Sequence, residues 1–460
     1  MSLLIKNADV ITATDRYTAD IWCEAETITQ IGRNLPVPAG AEVIDATGKL
    51  VFPGFIDPHT HIYLPFMGTF AKDDYTTASR AALVGGTTTI FDMCIPGRNE
   101  NPLDGFNTWN AQSVGKASCD WTYHMAVTRW DETVEKQLRE IVAAGVSSFK
   151  VFLAYKGALG IEDIELYRAL KLAKELGVIV TAHCENSEII AERQQQLLAE
   201  EKTGPQYHYE SRPPRVEAEG VHHLMTFAEL LGTHCYIVHL SCDEALREAL
   251  AARYRGANVW IETLIQYLVL DKTWAERPNF EGAKYVMSPP LRDVSNQAVL
   301  WNGLRTGLVN TVATDHAPFD FKTQKPMGKD DFTKIPNGIP SLEDRVNLLY
   351  THGVATGKLD LHQFVSVAST NAAKLFGLFP SKGTIQPGSD ADLVIFDPNY
   401  RGKLSHAAQH SAVDYNAFEG FEIAGRPSVV TLRGTVMARD GKFVGPEGKG
   451  RFLKRQPNHF

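Results

Sequence analysis

Phe55-Ile56-Asp57-Pro58-His59-Thr60-His61 is an apolar run that ends in two histidines one residue apart. Residues two apart on a strand point to the same face, so His59 and His61 project together. At the C-terminal end of a parallel barrel strand, both imidazoles would enter the mouth where such barrels keep their active sites. A His-x-His pair in that setting is half of a metal site. The same spacing also fits two histidines hydrogen-bonded inside a core, and the motif alone does not choose.

Working outward, apolar or β-branched runs of similar length recur. They are Gly86-Thr87-Thr88-Thr89-Ile90-Phe91-Asp92, then 122–127, 148–153, 178–183, 235–239, 259–263 and Thr311-Val312-Ala313-Thr314-Asp315. With the strand ending at His59 they make eight, and helical segments such as 162–176 and 218–231 lie between most of them. Eight near-continuous apolar strands with helical crossovers predict an α/β fold, a (β/α)8 TIM barrel.

Both flanks read as β. Before the barrel, short strands are expected at 3–5, 9–12, 20–23 and 28–31, with turns at Thr14-Asp15 and Pro38-Ala39-Gly40. After it, 369–377 reads as a helix stopped by Gly377. A strand follows Gly383-Thr384-Ile385-Gln386-Pro387-Gly388, and 429–442 reads as a hairpin turning at Arg433-Gly434. The expected division is 1–52 and 381–460 as the two parts of one small β-sandwich, the second with a tail, around a (β/α)8 barrel at 53–380.

The formal net charge of -8 gives no support for nucleic acid or an anionic membrane as partner. The basic run 449–455 is short and reads as a solvated tail or a subunit contact. No apolar run approaches a membrane span. The N-terminus reads as a strand rather than a signal peptide. Six cysteines without C-x-x-C spacing read as buried thiols. Together these predict a cytoplasmic protein.

Six metal-binding side chains follow apolar runs at strand ends: His59 and His61 on strand one, Lys150 on four, His183 on five, His239 on six and Asp315 on eight. Barrel enzymes draw their chemistry from the ends of several strands, so the coincidence favours a metal site over independent core residues. His124, alone on its strand, reads as a core histidine. A lysine buried beside metal ions is pushed toward the neutral amine, which reacts with carbon dioxide to give an anionic carbamate. The alternative is a lysine paired with a nearby carboxylate.

These residues together resemble the cyclic amidohydrolases, in the D-hydantoinase and dihydropyrimidinase branch. Thr314-Asp315-His316-Ala317-Pro318, Phe149-Lys150-Val151-Phe152-Leu153-Ala154-Tyr155-Lys156, Met287-Ser288-Pro289-Pro290-Leu291-Arg292 and Asn337-Gly338-Ile339-Pro340-Ser341 carry the match in detail. The resemblance implies two zinc ions, or other divalent ions. His59, His61 and Asp315 would hold one, and His183 and His239 the other. N6-carboxylated Lys150 and a hydroxide would bridge them. It further implies Asp315 as general base and acid, Tyr155 as a donor to the developing oxyanion, and Ser288 and Asn337 holding the amide edge of the substrate through backbone groups. The implied assembly is a homotetramer, a dimer of dimers.

The loop Ile62-Tyr63-Leu64-Pro65-Phe66 offers no cation for a substrate carboxylate, which argues against a dihydroorotase. Leu64, Phe66 and Phe152 instead suit an apolar or small exocyclic group. The expected activity is hydrolytic ring opening of 5-monosubstituted hydantoins and dihydropyrimidines, small cyclic amides, to N-carbamoyl amino acids. An allantoinase and a non-catalytic scaffold are the alternatives.

Overall fold

The protein is described here by a computed structural model covering residues 2–457. Met1 and the last three residues of the expected tail, 458–460, lie outside the described residues. All eight predicted barrel strands form. They are Phe55–Thr60, Thr87–Cys94, Asp120–Ala126, Ser148–Phe152, Ile179–His183, Cys235–Ile237, Val259–Leu264 and Thr311–Ala313, parallel and hydrogen-bonded in chain order. Nearly every residue in them is buried, as expected of strands covered on both faces. The barrel closes where the first strand meets the segment after the eighth: Asp315 N–H donates to His59 O (2.9 Å) and His61 N–H to His316 O (2.9 Å). Closure therefore runs through three of the candidate site residues.

Local sequence explains the crossovers. Helix Asp163–Leu176 starts with a reciprocal capping box between Glu162 and Glu165 and stops at left-handed Gly177. Helix Pro214–Leu231 begins four residues before the expected start because Pro214 occupies its first position, where a missing N–H costs nothing.

Both ends of the chain join in one nine-stranded sheet, forming the small β domain. Leu50–Pro53 pairs antiparallel with Leu393–Lys403, and Ser2–Ile11 lies beyond it. The two strands expected at 3–5 and 9–12 are one strand, Ser2–Ile11. A bulge between Ile5 and Ala8 reconciles the registers, with Asn7 at φ 58°. The hairpin at Arg433-Gly434 forms as predicted, both residues at positive φ, which matches the twist of the flanking strands. Rings of Phe52, Phe55, Phe364, Tyr350 and Phe396 interlock edge-on and tilted between sheet and barrel. Beside them a buried charge cluster crosses the same boundary. Lys382 Nζ reaches Asp120 (2.7 Å), Asp392 (2.6 Å) and Asp390 (2.9 Å), and Arg433 also pairs with Asp120.

The basic run at 449–455 corrects the expectation of a solvated tail. It packs on its own barrel: Leu453 N–H donates to Trp121 O (2.7 Å) and Trp121 N–H to Arg451 O (3.1 Å). Arg455 is buried and donates to Thr122, Ser147 and Ser148 hydroxyls and to Tyr123 O, with Phe91 beneath the guanidinium. All six cysteines are free and buried. Among the described residues no helix is long and apolar enough to cross a membrane.

Candidate active site

The first strand delivers His59 and His61 side by side, their Nε2 atoms 3.3 Å apart. Asp315 Oδ1 stands 3.1 Å from one and 3.0 Å from the other. Their ligand atoms all lie within 4.8 Å of one another, a spacing that suits one cation. The fifth and sixth strands add His183 and His239, whose rings meet edge-on at 4.6 Å, and His239 lies 5.5 Å from His59. Lys150 is fully buried between these groups. The barrel thus gathers all six predicted side chains. His124 stays apart, buried and bonded to Ser148 and to Pro58 O.

Several groups that orient these side chains escaped the sequence reading. Glu262, on strand seven, accepts from His59 Nδ1 (2.8 Å), from the His239 backbone N–H (2.9 Å) and from the Tyr236 hydroxyl (2.9 Å). With Nδ1–H committed to the carboxylate, His59 turns Nε2 toward Asp315, the arrangement by which an outer carboxylate fixes a ligand histidine. Glu185 does the same for His183 (2.8 Å) and is itself held by Arg212 (2.5 Å). The only sequence signal for Glu262 was a carboxylate inside an otherwise apolar strand run. Burial of this kind demands partners.

Three residues facing the centre sit in the left-handed backbone region: Tyr155 (φ 60°), His239 (φ 42°) and Asp315 (φ 50°). Each costs about 1 kcal/mol relative to ordinary backbone, and such strain clusters where geometry serves function. Backbone bonds retain it, from His239 N–H to Glu262 and from Asp315 N–H to His59 O.

The electrostatics are those of a site short of positive charge at its anions and short of solvent at its bases. Burial alone would lower His59, but Asp315 and Glu262 raise it to about 9. Burial lowers His61 to about 4 and depresses His183 and His239. Burial would raise the Asp315 carboxyl, yet His59 and His61 hold it well below the usual range. Burial lowers Lys150 to about 8, and its Nζ finds no hydrogen-bond partner among the described residues. The reading of Lys150 as one half of an ion pair is therefore overturned. An orphaned buried amine beside imidazoles and a carboxylate fits a metal-binding role for the set.

Above this centre lies a cavity. Leu64, Phe66, Ile95, Phe152 and Leu159 supply apolar wall, while Tyr155, Ser288 and Asn337 supply a polar edge. The Ser288 and Asn337 side chains lie against the Tyr155 hydroxyl, and Asn337 Nδ2 donates to Ser288 Oγ (3.0 Å). Burial raises the Tyr155 phenol, keeping it protonated and able to donate. Ile95 and Leu159 are additions to the predicted lining; nothing in their sequence context marks them.

The amidohydrolase family profile matches residues 50–437. The chain belongs to the amidohydrolase family. It is 48% identical to a D-hydantoinase of Geobacillus stearothermophilus, over 99% of this chain and 97% of that protein. It is 40% identical to a dihydropyrimidinase of Rattus norvegicus, over 99% and 89%. Among solved structures, a D-hydantoinase (dihydropyrimidinase) from Thermus sp. superposes with a TM-score of 0.98 at 61% identity, each chain covered completely. Within the family the chain falls in the hydantoinase and dihydropyrimidinase branch, and it is a metal-dependent hydrolase.

Proposed function

We propose that this enzyme opens 5-monosubstituted hydantoins and dihydropyrimidines by hydrolysis, giving N-carbamoyl amino acids. The observation that supports the reading is 48% identity to a D-hydantoinase and 40% to a dihydropyrimidinase, each over 99% of this chain, together with five of the six predicted ligand side chains lining one cavity and His59 beside His61 and Asp315. His59, His61 and Asp315 would hold one zinc ion and His183 and His239 a second, with carboxylated Lys150 between them. The neutral Lys150 amine reaches that form by adding to carbon dioxide, making an N–C bond and releasing one proton. Bound divalent ions polarise the scissile carbonyl and acidify water.

The protein's own groups do the rest. Asp315 takes the proton from the attacking water, whose oxygen bonds to the ring carbonyl carbon. The same carboxyl then delivers the proton to the ring nitrogen as the C–N bond breaks. Tyr155 donates its hydroxyl to the carbonyl oxygen as that oxygen becomes anionic. Ser288 and Asn337 hold the amide edge, and Leu64, Phe66 and Phe152 receive the exocyclic substituent. The enzyme acts in the cytoplasm as a homotetramer, a dimer of dimers, which light scattering tests.

Metal content per subunit, measured with hydrolysis of a hydantoin racemate before and after chelation, tests the whole reading. Two metals with chelation-sensitive ring opening support it. Two metals with turnover of allantoin but not of hydantoin or dihydrouracil would transfer the substrate to allantoin. No metal and no turnover would overturn it.

A further inference from the structure

Lys325 lies outside the metal centre, in the segment after the eighth barrel strand, and its side chain is completely buried. No carboxylate answers its charge among the described residues. Its Nζ instead donates to three backbone carbonyls: Pro336 (2.7 Å), Gly338 (2.9 Å) and Val286 (3.3 Å). Burial alone lowers this amine to about 7, while three converging carbonyl dipoles favour the charged form. A buried lysine with no apolar substitute and no counter-ion is costly to keep, so its partners indicate what it does.

Those partners come from two segments distant in sequence, and each segment sends a residue to the cavity. Val286 precedes Ser288 by two residues, and Pro336 and Gly338 flank Asn337. The two segments also touch directly, through Gly338 N–H to Val286 O (2.9 Å) and Asn337 Nδ2 to Ser288 Oγ. Gly338 stands at φ 149°, where a Cβ would collide with the Ala317 carbonyl, so the segment is confined from the opposite side as well.

The Pro336–Asn337 peptide is trans, so its C=O and N–H point in opposite directions. With the carbonyl on the ammonium, the Asn337 N–H turns away from Lys325, and it meets no protein acceptor among the described residues. A cation at the carbonyl oxygen also polarises the peptide and strengthens its N–H as a donor.

We propose that Lys325 is a positioning residue for substrate: it gathers the two recognition segments and presents the Asn337 backbone N–H, polarised, to a carbonyl oxygen of the bound ring. This rests on the ring-opening activity proposed above. The carbonyl it would hold is in place before and during reaction, so its loss weakens ground state and transition state alike and appears in KM rather than kcat.

Lys325→Met removes charge and donors at similar length, and Lys325→Gln keeps two donors without charge. Both are assayed with dihydrouracil and hydantoin beside the wild type, with metal content per subunit and unfolding midpoint measured in parallel. The expected result is wild-type metal content, KM raised about tenfold and kcat within about threefold for Lys325→Met, with Lys325→Gln between it and the wild type. An unchanged KM in a folded, metal-loaded variant overturns the proposal. So does loss of metal together with kcat, or failure of both variants to fold, since each makes Lys325 a determinant of the fold alone. A wild type that turns over neither substrate overturns the ring-opening reading, and the assignment of Lys325 falls with it.

Discussion

Lys382→Met probes the charge cluster that joins the β sheet to the barrel. The wild-type ammonium contacts Asp120, Asp390 and Asp392 within 2.9 Å, and its own side chain is 2% exposed. Removing it leaves Asp392 without its cation and Asp120 with Arg433 alone. Breaking a buried ion pair by deleting one partner costs about 3–5 kcal/mol. With an unfolding entropy near 2.1 cal/mol/K per residue, that corresponds to a fall in Tm of about 4 °C for a chain of this length. The pH dependence carries the sharper test. Lys382 is raised above its ordinary value, chiefly against its burial by Asp120 and Asp392, so its contribution is complete at every pH below that ordinary value. Asp120 is held low, so its contribution persists above the ordinary carboxylate range and is lost only as pH falls through its lowered value. Asp392 is already raised by burial and rises further once the cation is gone. A proton can then replace the missing charge, and the deficit of the variant shrinks as pH falls from 8 to 5, by at most about 1.4 kcal/mol per pH unit. Urea unfolding followed by tryptophan fluorescence across that range measures it, with Lys382→Met/Asp392→Asn expected to regain about half the loss. A deficit below about 1 kcal/mol, a deficit constant with pH, or additive further loss on Asp392→Asn would refute the argument.

Other outcomes follow from the site and the base of the barrel. Lys150→Ala leaves no amine to carboxylate, and elemental analysis should find metal content per subunit well below that of the wild type. Tyr155→Phe keeps the ring packing but removes the oxyanion donor, so kcat for dihydrouracil should fall about a hundredfold with KM changed much less. Arg455→Ala forfeits four hydrogen bonds and orphans the Tyr123 carbonyl, which should lower stability by about 2–4 kcal/mol, read as a drop in urea midpoint.

The barrel was legible because buried parallel strands must be apolar throughout, and the polar residue that ends such a run stands out. His59, His183, His239 and Asp315 announce themselves in this way, and Lys150 as a charge in the middle of such a run. Glu262 did not, because its role exists only in three dimensions: it bonds His59 across the barrel and the backbone of His239 beside it. Arg455 was misread for a related reason. A basic residue in a short charged run looks solvated, and only the packed base of the barrel reveals four acceptors waiting for one guanidinium. Nothing in the sequence sets Lys325 apart from Lys322 and Lys329, since its three acceptors are backbone carbonyls of other segments. The split of the N-terminal strand into two was a matter of register: the bulge at Asn7 shifts the alternation by one face, and periodicity reads that shift as an interruption.

The sheet that unites Val51 with Ile395 also sets a timetable. During synthesis the N-terminal strands emerge first, and their edge at Leu50–Pro53 stays unpaired until the whole barrel has been made. Pairings so distant in sequence are slow to form, and an open apolar edge is a template for the wrong neighbour. For this chain the hazardous interval is the journey to the native state, when crowding, temperature and chaperone supply decide yield.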